Sequence, residues 1–221
     1  MVRTTNTRIR HEVTTTSTDA ADIKSPSMSD DGATSVSPRA TDHPPHNLFD
    51  AMRKRRMHRS FLAEPPSDAQ VRQLLWAAGR APTARPGVRQ FLVIDDPALM
   101  RTVRQTCPGF INDAPMAILV FSDLKLALET TGTRGQEVIA RIDAGTAAGY
   151  LSLAAPALGL GICITTSWSN SVVQELVQLP PHCRPEVLVA VGAVAPRPSP
   201  TVKARRAPIH HNTYGVPWSE S

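Results

Sequence analysis

Aromatic side chains are scarce. Phe, Tyr and Trp together make up 5% of the 221 residues, and none lies before position 47. A stretch of Thr, Ser, Asp and Ala without aromatics cannot bury enough apolar area to offset the entropy lost on ordering. Residues 1–46 are therefore predicted to be a disordered leader, and 47–221 the folded part. No stretch approaches the roughly 20 apolar residues of a membrane helix, which speaks against a span. The leader carries no apolar run of the secretory type, and its acids speak against an organelle transit peptide. Cysteine is sparse too: Cys107, Cys163 and Cys183, none spaced as CxxC. That excludes a disulfide scaffold and speaks against a structural zinc site, so the three read as reduced thiols of a cytoplasmic protein.

Charge is unevenly spread. Residues 1–46 hold five Lys/Arg and six Asp/Glu, a net −1, so the other 175 residues carry +6 of the total +5. Much of it sits in one run, Arg53-Lys54-Arg55-Arg56-Met57-His58-Arg59, after a short helix capped by Asn47 in which Leu48, Phe49 and Met52 share a face. On its own such a run reads most simply as a solvated basic face or a nucleic-acid patch.

The rest of the chain interleaves helices and short apolar strands. Ser67 with Gln70 makes a capping box for a helix whose stripe is Val71, Leu74, Leu75 and Ala78, with Gly79 ending it. Residues 91–94 form a short strand, Pro97 opens a helix to about Thr106, and 116–121 is the most apolar strand. Residues 135–158 read as one long helix, rich in Ala and Gly, which Pro156 ends early. Strands at 162–165 and 187–191 flank a helix capped by Asn170 and stopped by Pro180-Pro181. Connection lengths vary too much for a regular doubly wound sheet, so the fold class is α+β. The small residues of the long helix and the extended C-terminal arm point to a dimer. His210 and His211 are adjacent, so their side chains diverge and do not share a metal. Gly159-Leu160-Gly161 lacks the spacing of a dinucleotide loop and reads as a helix stop.

Five stretches in order resemble the nitroreductase family of flavin-dependent oxidoreductases. Arg55-Arg56-Met57-His58-Arg59-Ser60-Phe61 is similar to its opening RRSxRxF, and 74–83 (LLWAAGRAPT) to its LLEAARxAPS. Asn112-Asp113-Ala114-Pro115 precedes the apolar strand. Residues 143–161 resemble the family's small-residue helix closing on LGLG, and 179–192 complete the set. The resemblance spans roughly 47–215. It implies a three-layer α/β/α sandwich around a central, mainly antiparallel sheet, an intertwined homodimer, FMN bound at the subunit interface, and NAD(P)H as co-substrate.

The resemblance also implies site residues. Arg55 is the first phosphate ligand, with Arg56 and Met57 beside it; Arg205 and Arg206 correspond to a late phosphate-binding Arg. Guanidinium forks suit a phosphate because they pair with it bidentately. Arg59 falls at the pyrimidine end of the flavin, where a cation stabilises the reduced ring. Arg85, Pro86 and Gly87 lie in the loop that faces the ring. Thr165, Thr166 and Ser167 present backbone amides to flavin N5/O4, and Trp168 and Tyr150 line the substrate face. No protein nucleophile is required, since the cofactor carries the hard step.

The chain also departs from the family. Met57 stands where a Ser hydroxyl would reach the phosphate, the 81–90 loop is one residue shorter and lacks the ring-contacting Asn, and Thr166-Ser167 replace glycines. The implied activity is ping-pong hydride transfer from NAD(P)H to a nitroaromatic or quinone-type acceptor. The alternatives are a flavin-dependent dehydrogenase or oxidase of a biosynthetic substrate such as a cyclic dipeptide, which Cys107-Pro108-Gly109-Phe110 faintly resembles, and a non-catalytic basic binding protein. A membrane partner is not expected, and nucleic acid is disfavoured.

Overall fold

The computed structural model describes residues 48–196 and 207–218. The predicted leader, the Asn47 cap, and Arg205 and Arg206 lie outside the described residues.

Six α-helices and four strands follow one another as α1 (Leu48–Lys54), α2 (Asp68–Gly79), β1 (Arg89–Ile94), α3 (Pro97–Thr106), β2 (Met116–Asp123), α4 (Leu124–Arg134), α5 (Ala140–Ala154), β3 (Leu160–Thr165), α6 (Asn170–Leu176) and β4 (Cys183–Ala193). The strands form a sheet in the order β1-β2-β4-β3, every neighbour antiparallel. The expected mainly antiparallel sheet is thus antiparallel throughout. Alternate residues of the two central strands point to opposite faces. Met116, Ile118 and Val120 with Val187, Val189 and Val191 pack against Leu74 and Ala78 of α2 and Ala144, Ala147 and Leu151 of α5. Ala117, Leu119 and Phe121 with Leu188 and Ala190 pack against Met100 and Val103 of α3 and Val173 of α6. Helices on both faces make the three-layer α/β/α arrangement, and both faces being covered is why these strands read as continuous apolar runs.

Local chemistry sets the boundaries. The Ser67–Gln70 capping box is formed in both directions, and Gln70 Nε2 also reaches the Leu158 carbonyl at 2.9 Å. Asp96 Oδ1 accepts from the Leu99 amide at 2.7 Å, with Pro97 next, to start α3. A single turn of 3-10 helix at Ala155–Leu158 and Gly159 at φ 70° end the long helix, as Pro156 requires.

Three expectations need correction, and one helix was not foreseen. The long helix runs over 135–158 as expected, its first turn, Gly135–Ile139, being a π-turn; α4, interrupted by a kink at Gly132, precedes it unpredicted. Asn170 is the first residue of α6, not its cap; Ser169 is the cap, and Asn170 accepts a bond from the Trp168 indole instead. α6 ends at Leu176, before the two prolines, with Gln178 at φ 53°. β4 starts four residues earlier than predicted because a bulge absorbs Glu186: Val120 pairs with Val187 and Phe121 with Pro185.

Candidate functional site

The site is built along the outer edge of β3. After α1 the chain lies against that edge in an extended run. The His58 amide donates to the Ile162 carbonyl at 2.8 Å, and the Leu62 amide to the Ala193 carbonyl at 2.8 Å. Met57 bridges Ile162 and Phe61 bridges Val194. Asp113 Oδ1 accepts from the Phe61 amide at 2.7 Å and fixes where the run turns inward. The approach is close because Gly161 has no side chain: a Cβ there would lie 2.8 Å from His58 Cδ2 and 2.5 Å from Val194 Cγ2.

This run displays the basic residues. Arg56 is exposed, and its Nη1 donates to the carbonyls of Arg53 (2.7 Å) and Arg55 (2.8 Å), closing the C-terminal end of α1. Arg55 is half-buried, and Met57 and Arg59 are exposed. Among the described residues, the guanidinium groups of Arg55 and Arg59 neither donate a hydrogen bond nor form an ion pair. Arg59 lies close enough for its charge to oppose the upward push that burial gives the Cys163 thiol on β3. Burial lowers the pKa of His58, and the charge of Arg56 adds to it, so His58 favours the neutral form.

Three residues beyond Ile162, roughly 10 Å along the strand, β3 ends at Thr165 and a loop follows. Thr165 is buried and its hydroxyl donates to the Gly109 carbonyl at 3.0 Å. Thr166 and Ser167 are exposed. Trp168 is half-buried against the α3/α6 core, and its indole N–H donates to Asn170 Oδ1 at 3.0 Å. Among the described residues, the backbone amides of Ser167 and Trp168 have no acceptor. Free cations at one end of β3 and free amides at the other suit a phosphate on a flexible arm followed by a ring rich in acceptors. These are donors of the kinds that FMN takes at its phosphate and at its ring.

The 81–90 loop sits at the same end of the sheet as the 166–168 loop, but on the opposite edge, where β1 begins. Arg85, Pro86 and Gly87 are exposed there. Tyr150 is partly exposed on α5, on a face with the exposed Ile142. The structure therefore brings Arg55, Arg56, Met57, Arg59 and 165–168 together along β3, and leaves 85–87 at the opposite edge of the sheet. Arg205 and Arg206 fall outside the described residues. Sequence reasoning missed the supports. Buried Asp143 accepts from Thr83 Oγ1 and the Ala84 amide, both at 2.9 Å, and Arg89 donates to the carbonyls of Ala81, Pro82 and Asp143. The available signal was a lone carboxylate on the buried stripe of an Ala/Gly-rich helix. No cluster of His, Cys, Asp or Glu that could hold a metal exists among the described residues, and His210 and His211 face different aromatic partners, Tyr214 and Trp218. No helix of the described residues is long and apolar enough to cross a membrane.

The chain is similar to several known proteins. The chain is 28% identical over 171 residues to an NADH dehydrogenase of Thermus thermophilus (63% of this chain, 82% of that one). It is 26% identical to an iodotyrosine deiodinase of Thermotoga neapolitana (76% and 98%) and 25% identical to an FMN reductase [NAD(P)H] of Bacillus subtilis (75% and 73%). Among solved structures, the NfrA1 nitroreductase of B. subtilis superposes with a TM-score of 0.64 at 25% identity, over 77% of this chain and 76% of that one. The profile of the nitroreductase family matches residues 52–107 and 88–193, and with the edge of β3 built as described, the chain belongs to the nitroreductase family.

Proposed function

We propose that the protein is an FMN-dependent oxidoreductase that oxidises NAD(P)H and reduces a nitroaromatic or quinone-type acceptor in a ping-pong cycle. The observation that carries this reading is the set of unpaired donors beside and after β3: two guanidinium groups on the run along its edge and two amides in the loop that follows it. Bound FMN supplies the hydride chemistry at its N5. Arg55 holds the phosphate, with the Met57 backbone beside it, and Arg205 and Arg206 are proposed to approach from the C-terminal arm. Charge-assisted bonds of this kind contribute about 1.5–3 kcal/mol each. Two or three make up a large share of the roughly 8 kcal/mol of a micromolar site. Arg59 places positive charge where the reduced ring carries its negative charge. The amides of Ser167 and Trp168 donate toward the N5/O4 edge, and the bulk of Thr166, Ser167 and Trp168 sets how flat a substrate must be to stack there.

The single chain leaves apolar surface that a second copy would cover, which supports a homodimer. Leu48 (55% exposed) and Phe49 (64%) stand out on α1. On α5 and the turn before it, Val138 and Ile142 are exposed in line with Gly145 and Gly149, where an added Cβ would meet open space. In the arm, Ile209, Tyr214 and Trp218 are exposed around a tight turn.

The test is the visible spectrum of the purified protein, followed by anaerobic addition of NADH or NADPH. A yellow protein that releases FMN on denaturation, is bleached by the nicotinamide, and is reoxidised by a quinone or nitroaromatic supports the reading. A flavoprotein that the nicotinamides leave oxidised but a cyclic dipeptide bleaches would replace it with a dehydrogenase. A colourless protein whose affinity for nucleic acid falls steeply with salt would replace it with a binding protein.

A further inference from the structure

The 107–110 turn carries no role so far, yet it is pressed against the loop that presents the free amides. Its ends are buried: Cys107 closes α3 and Phe110 sits in the α3/α6 core. The Phe110 amide donates to the Cys107 carbonyl at 2.8 Å, closing the turn on Pro108-Gly109. From this base Gly109 makes two reciprocal bonds to the opposite loop. Its amide donates to the Ser167 carbonyl at 3.2 Å, and its carbonyl accepts from Thr165 Oγ1 at 3.0 Å. Gly109 has an ordinary negative φ, so it is not glycine for backbone freedom. It is glycine for space: a Cβ would lie 2.7 Å from Ser167 Cβ and 2.8 Å from Thr165 Cγ2.

The contact has a directional consequence. In a trans peptide the carbonyl and the following N–H point opposite ways. With the Ser167 carbonyl held by Gly109, the Trp168 N–H is turned to the side away from the turn. We infer that Gly109 and the Thr165 hydroxyl are positioning residues that clamp the 165–168 loop and aim the Trp168 amide outward as a fixed hydrogen-bond donor. For the role of that donor, the inference rests on the FMN reading; the clamp itself does not depend on it.

The experiment compares Gly109→Ala, Thr165→Val and Thr165→Ser with wild type by two readouts. The first is backbone ¹⁵N relaxation at Ser167 and Trp168 in protein stripped of FMN. The clamp predicts order parameters near 0.85 in wild type and Thr165→Ser, falling below about 0.6 in Gly109→Ala and Thr165→Val. The second is the flavin absorption band and the rate of its reduction by NAD(P)H after FMN is restored. Misaiming the donor slows reduction by about 10- to 100-fold and shifts the band in Gly109→Ala and Thr165→Val, while FMN affinity, held by Arg55, changes less than about three-fold. Thr165→Ser keeps its hydroxyl and stays near wild type in both. Equal order parameters in wild type and Gly109→Ala, or Thr165→Ser behaving as Thr165→Val does, would overturn the clamp. An ordered wild-type loop in a protein that binds no FMN would uphold the clamp and overturn the flavin reading instead.

Discussion

The two edges of the sheet use their polar groups in opposite ways. At the β1 edge one carboxylate and one guanidinium are committed inside the protein, while the exposed Arg85 guanidinium has no partner among the described residues. Asp143 takes the Thr83 hydroxyl and the Ala84 amide, and the Arg89 guanidinium is spent on three carbonyls. Burial lowers the pKa of Arg89 while the Asp143 charge raises it, the mark of a cation held by its surroundings. At the β3 edge, Arg55 and Arg59 point their charge at no described acid, and two amides donate to nothing described. The four unpaired groups beside β3 are the ones proposed to take the ligand; the committed Asp143 and Arg89 are not. A polar group binds a partner to the extent that the fold has not already used it.

If this contrast is right, substitutions on the satisfied side change stability and leave flavin retention alone. The largest effect is expected at Glu186, on the central strand β4 rather than at either edge. It forms a partly buried 2.6 Å ion pair with Arg184, which also donates to the Gln136 carbonyl of the π-turn. Glu186→Ala leaves the Arg184 charge with only the Gln136 carbonyl and should cost about 2–3 kcal/mol in urea unfolding. Asp143→Ala removes the acceptor of two bonds and should cost about 1–3 kcal/mol by the same measurement, with a smaller loss for Asp143→Asn. An Asp143→Ala variant that unfolds like wild type but sheds FMN would break the comparison.

His58 sharpens the contrast, because it stands at the ligand edge yet serves the fold. Its pKa is lowered in the folded state, first by burial and then by Arg56, so the unfolded chain binds the proton more readily. The stability it lends is complete above its ordinary pKa of about 6.5 and is lost as the pH falls below that value. The effect is the smallest of the three. Urea unfolding between about pH 7.5 and 5 should show a decline in wild type that is shallower in His58→Gln.

Much of this was legible in the sequence. The capping box at Ser67–Gln70, Pro97 opening α3, Pro156 and Gly159 ending the long helix, and the apolar runs of β2 and β4 all carry local signals, and the structure bears each out. The basic run was readable as a candidate site because its neighbours occur in the family's order. What escaped was set by distant contacts. The π-turn and α4 have no strong periodicity, the β4 bulge exists to seat Glu186, and Leu48, Phe49 and Met52 share a face that the single chain leaves exposed. Asp143, Arg89 and Gly109 were invisible as supports because their partners lie from 7 to 60 residues away; nothing in the local pattern pairs them.

The central claim is that the unpaired guanidinium groups at the β3 edge hold a phosphorylated flavin. The most direct measurement is a fluorescence titration of FMN into stripped wild-type protein and the Arg55→Ala variant, with riboflavin as the ligand lacking phosphate. Micromolar binding of FMN at one site per protomer, weakened about 10- to 150-fold in Arg55→Ala, with riboflavin binding weakly and alike in both proteins, is the predicted result. FMN and riboflavin binding equally well, or Arg55→Ala binding FMN as tightly as wild type, would contradict the account.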